Sequence, residues 1–176
     1  MAAAGRVTRV LDQLVGQADE LAGLLADAGA ASGEVTALRG ALARRSGAAS
    51  AQIRTVGDVL VSLVTLAREA GVAVPPRTFQ AAVRHLADRL AVAHPGQSIE
   101  VRVPPVTAVQ IGSTAGPTHT RGTPPNVVET DPDTWFRLAT GTLDWDAAAS
   151  GGLVRASGAH ASEVGTLLPV AVRPVR

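Results

Sequence analysis

Apolar residues near the start of the chain recur at spacings of three, four and seven: Val7, Val10, Leu11, Leu14, Leu21, Leu24 and Leu25. Asp12, Asp19 and Glu20 fall on the other faces. This spacing predicts an amphipathic helix. Gly29 to Gly33 interrupts it. A second helix is expected over 34–45, with Val35, Leu38 and Leu42 on one stripe, and Ser46-Gly47 ends it. A third runs over 50–69, with Ile53, Val56, Leu60, Leu63, Val64 and Ala67 facing inward and Gly71 as its stop. Gly16, Gly23 and Gly57 lie inside these helices, and each costs about 1 kcal/mol against Ala. The helices therefore rely on packing partners. Residues 1–75 read as an antiparallel bundle or a poorly ordered extension, with a partner-binding helical module as the alternative.

Val74-Pro75-Pro76 marks the boundary, because proline disfavours helix for the residue before it. A helix over 78–93 follows, with Thr78 as its cap and Phe79, Val83, Leu86 and Leu90 as its stripe. His94-Pro95-Gly96 stops it. Ser98 to Val103 alternates with period two, placing Ile99, Val101 and Val103 inward and Glu100 and Arg102 outward. Pro104-Pro105 is expected to end or bend this strand at a sheet edge. Val106 to Ile111 reads as a second strand, Thr118 to Arg121 as the start of a third, and Asn126 to Thr130 as a further extended run. Asp131-Pro132-Asp133 is a helix start: a capping acid, a first-turn proline and a second acid against the positive helix end. Trp135, Phe136, Leu138 and Ala139 follow, and Gly141 closes the helix. Adjacent on a helix, Trp135 and Phe136 point about 100° apart, so one of them is a candidate cavity wall. Asp144 caps a short helix to Ala149, Leu153 to Ala156 is a strand, and 161–168 is a last short helix before the tail.

Composition narrows the chemistry. All 16 basic residues are Arg, set against 15 acidic ones. The absence of Lys excludes a Schiff base and a phosphate-loop lysine, and the absence of Cys excludes disulfides, thiolate catalysis and cysteine metal sites. Arg44-Arg45 is the only adjacent basic pair, whereas a nucleic-acid binder clusters its cations, so no nucleic-acid partner is expected. No run of about 18 apolar residues spans a membrane, and charges at Arg6, Arg9 and Asp12 interrupt a signal core, so a cytoplasmic protein is expected. His119 and His160 have no ligand spacing with Glu129 or Asp131, and no nucleophile elbow or nucleotide loop is present. No catalytic residue, metal or cofactor is assigned, and the protein reads as non-enzymatic. Arg121, in the proline-stiffened run from Thr118 to Asn126, either binds a carboxylate or phosphate or pairs with Glu129 or Asp131.

The run Glu100-Val101-Arg102-Val103-Pro104-Pro105, continued by His119-Thr120-Arg121-Gly122-Thr123-Pro124-Pro125-Asn126-Val127-Val128-Glu129-Thr130-Asp131, resembles the bacterial, mainly actinobacterial, sterol carrier family of the sterol carrier protein 2 superfamily. Trp135-Phe136-x-Leu138-Ala139-x-Gly141, Leu143-x-Trp145-x-Ala147-Ala148 and Ser150 to Gly158 extend the resemblance, which covers about residues 78–170. It implies a sterol-carrier-like domain over 76–170, with a mostly antiparallel five-stranded sheet covered by helices; with the helical segment read from the spacing over 1–75, which lies outside the resemblance, and a tail over 171–176, the chain is expected to be α+β. The resemblance also implies an apolar tunnel that carries a fatty acyl, acyl-CoA or sterol-like ligand without catalysis. Phe79, Val83, Val103, Ile111, Val128, Trp135 and Leu138 are the expected lining, in a cavity of roughly 300–1,000 Å³. His119 and Arg121 are the polar candidates. The alternative is a scaffold or regulatory protein whose helices over 1–75 bind a partner or a second copy through an exposed apolar stripe on 7–25 or 53–67.

Overall fold

The computed structural model describes residues 2–30, 32–44, 46–113 and 126–170. It divides into two compact units, Met1–His85 and Leu86–Arg176. The division falls inside a helix, whereas the sequence boundary at residue 75 falls in the connector before that helix.

The first unit holds α1 (Ala2–Asp27), α2 (Ser32–Ala43), α3 (Ala49–Glu69) and the start of α4 (Pro76–Ala93). α1, α2 and α3 pack pairwise, with α1 against α3 as the most extensive contact. Leu11, Ala18, Leu21, Ala22 and Leu25 of α1 are buried, as are Val35 and Leu42 of α2 and Val56, Leu60, Leu63, Val64 and Ala67 of α3. The bundle expected from the spacing is present, with corrections to its stripes. Val10 and Leu24 lie on the outside of α1, and Val59, Val61 and Leu66 of α3 are buried as well. Pro76, not Thr78, opens α4: the Phe79 N–H already donates to the Pro75 carbonyl at 3.0 Å, and Thr78 is buried in the first turn.

The interior glycine Gly57 has a packing reason. A Cβ there would collide with the ring of His85, which is buried and bonds Asp58 through Nε2 at 2.8 Å. The imidazole lies directly on the α3 backbone, and only glycine admits it.

The second unit holds the rest of α4, β1 (Ile99–Val103), β2 (Thr107–Ile111), β3 (Asn126–Thr130), α5 (Pro132–Ala139), α6 (Trp145–Ser150), β4 (Val154–Ser157) and a 3₁₀ helix, Ala161–Leu167. The strand order is β2-β1-β3-β4. β1 pairs antiparallel with β2, β3 antiparallel with β4, and β1 parallel with β3. The expectation of five mostly antiparallel strands is thereby corrected: among the described residues the sheet has four strands and is mixed. The strand expected from Thr118 lies outside the described residues. Pro104 and Pro105 do not mark an edge either. β1 is an interior strand, and the prolines turn the chain into β2, with the Val106 N–H donating to the Val103 carbonyl at 2.8 Å.

α5 begins and ends as its sequence dictates. The Asp131 side chain accepts from the N–H groups of Asp133 and Thr134 at 2.9 and 3.0 Å, and Pro132 fills the first turn. At the other end Gly141 takes a φ of +72°, while the Gly141 and Thr142 N–H groups return to the Leu138 and Arg137 carbonyls at 3.1 and 2.8 Å. This is the paired closure that a left-handed residue permits. Trp135 and Phe136 are both buried, and Arg137 is the residue turned outward, so neither aromatic stands apart from the core.

Candidate functional site

The sheet separates its two faces by register. Val101 pairs with Val109 and Val128, and Ile99 pairs with Ile111 and Asn126, so these residues share a face with Val103, Thr130 and Val154. Ile99, Val101, Val103, Ile111, Val128 and Val154 are all buried. Trp135 and Leu138 are buried on α5 in the same unit, at 1% and 2% exposure. Five of the seven expected lining residues thus sit in Leu86–Arg176, three of them on one sheet face. Phe79 and Val83 belong to Met1–His85 instead. Val83 is fully buried there, and Phe79 is half-buried with the Arg68 guanidinium 5.4 Å above its ring centroid, a cation–π distance.

The described buried polar residues of the second unit are Ser98, Asn126, Thr130, Thr134 and Thr140, all uncharged. Several are satisfied by backbone: Thr130 Oγ1 donates to the Leu153 carbonyl at 2.8 Å and Thr140 Oγ1 to the Phe136 carbonyl at 2.7 Å. Burying such groups without partners would cost about 1–3 kcal/mol each.

One end of the sheet is polar. The buried Asn126 uses both ends of its amide: Nδ2 donates to the Ser98 carbonyl at 2.9 Å, and Oδ1 accepts from the His160 N–H at 2.9 Å. His160 Nδ1 meets Glu163 Oε1 at 2.7 Å, and the Ser113 hydroxyl donates to Glu163 Oε2 at 2.9 Å. The start of β3, the end of β2 and the 3₁₀ helix are tied together here. Ser113 and Asn126 also flank residues 114–125, which contain His119 and Arg121 and lie outside the described residues. Sequence reasoning missed this network. Its one local signal is the three-residue spacing of His160 and Glu163 on a helical turn.

The opposite sheet face is charged. Arg102 pairs across with Glu129, and Glu129 with Arg155, so three strands place Arg, Glu and Arg in one row. Arg102 bonds Glu100 at 2.6 and 3.0 Å. That hydrogen bond, then the Glu100 charge, and then the weaker charge of Glu129, raise the guanidinium pKa above its ordinary value despite some burial. Near the other end of the sheet, partial burial pushes the Asp131 carboxyl up, but bonds from the Thr134 hydroxyl and from the Thr134 and Asp133 N–H groups outweigh it and hold the carboxyl below its ordinary value. Asp131 and Asp133 are thus explained by helix capping. Among the described residues no three His, Asp or Glu side chains converge on a metal-sized position.

An interior of this kind offers apolar contact and neutral hydrogen-bonding groups. Residues 75–170, more than half of the 176-residue chain, match a family model described as the bacterial SCP ortholog. No curated protein matches the chain.

Proposed function

The chain belongs to the bacterial sterol carrier protein (SCP) ortholog family, and on that premise we propose that it binds and carries a hydrophobic ligand of fatty acyl, acyl-CoA or sterol-like class without chemical turnover. The family match over residues 75–170 carries the reading, because it spans the whole sheet together with α5 and α6. The apolar sheet face and the uncharged set of buried polar residues support it. A hydrocarbon moved from water against such a surface gains about 25 cal/mol per Å². In this proposal Val103, Ile111, Val128, Trp135 and Leu138 meet the carbon skeleton. His119 and Arg121 meet the ligand's polar end, from a segment whose flanks Ser113 and Asn126 are held by Glu163 and by the His160 backbone. The site is confined to Leu86–Arg176, and the protein works in the cytoplasm. The alternative, a scaffold or regulatory protein that binds a partner through an exposed apolar stripe on 7–25 or 53–67, has less behind it, because Leu11, Leu21, Leu25, Val56, Leu60, Leu63 and Val64 are buried and only Val10 and Leu24 of the expected stripes are exposed among the described large apolar residues.

The test is to purify the full chain under native conditions and identify retained lipids by mass spectrometry, then to titrate a fluorescent acyl-chain probe and a fluorescent sterol. A stoichiometric species, or saturable uptake of either probe, is expected. A chain folded by circular dichroism that retains no lipid and takes up neither probe would overturn the reading.

A further inference from the structure

We draw no further inference here: the strongest candidate, the Ser113, Glu163, His160 and Asn126 cluster at the polar end of the sheet, belongs to the candidate site already described, and no observation shows what would reach the remaining ring nitrogen of His160.

Discussion

Asp131 shows how much one side chain organises. Its carboxylate caps two backbone N–H groups and takes a 2.6 Å bond from the Thr134 hydroxyl, which sets where α5 begins. Replacing it with Ala should cost about 1 kcal/mol at neutral pH. Because the folded pKa lies below the ordinary 3.8, the ionised cap contributes fully above that value and is lost as the pH falls through the folded pKa. Urea unfolding of wild type and Asp131→Ala should therefore differ at pH 7, and the difference should shrink as the pH falls below 3.8 through the folded pKa; a difference independent of pH would sink this account. Two helical glycines make a second test. Gly57 lies under the His85 ring, whereas a Cβ at Gly16 meets nothing within 4 Å. Gly16→Ala should stabilise by up to about 1 kcal/mol, the ordinary propensity gain. At Gly57 an overpacking cost of about 1–3 kcal/mol outweighs that gain, so Gly57→Ala should destabilise. Thermal unfolding of the two variants side by side checks the opposite signs.

At the scale of elements, the sheet order sets a gradient of stability. β1 and β3 are interior and paired on both sides; β2 and β4 are edges within the described sheet. Amide hydrogen exchange should be slowest in Val101 and Val128 and faster in Val109 and Ala156. Equal protection across all four strands would contradict the order. The alternating pattern of Ile99 to Val103 told which residues face inward, and those three are buried. It could not tell that β1 lies parallel to β3, because a period of two specifies a face and not a neighbour. α5 was legible at both ends, since a capping acid, a first-turn proline and a terminal glycine act within a few residues.

For the molecule as a whole, α4 is the element both units share: Val83 is buried in one, and Leu86 and Leu90 in the other. No described helix is long and apolar enough to cross a membrane. Both tryptophans, Trp135 and Trp145, lie in Leu86–Arg176, so their fluorescence reports that unit, while far-ultraviolet circular dichroism reports both. Leu60→Ala, at a fully buried position of the helical unit, should lower stability by about 2–5 kcal/mol. Because α4 is continuous, the fluorescence transition should shift together with the dichroism transition. A fluorescence transition unmoved by Leu60→Ala would show that the units unfold independently.

By itself the sequence determined the described helices and strands to within a few residues, the Asp131 cap, the inward face of β1, and the family to which residues 75–170 belong. All of these rest on spacings and capping groups only a few positions apart, which the chain states locally. Tertiary structure decided the rest. It placed His85 on Gly57, closed the Asn126, His160, Glu163 and Ser113 network across separated segments, and buried Trp135 and Phe136 together. It also left Val10 and Leu24 outside a stripe that the spacing would have buried. Each of these depends on which distant segment arrives as the neighbour. A helical or strand period describes the faces an element presents, and only packing selects what meets them.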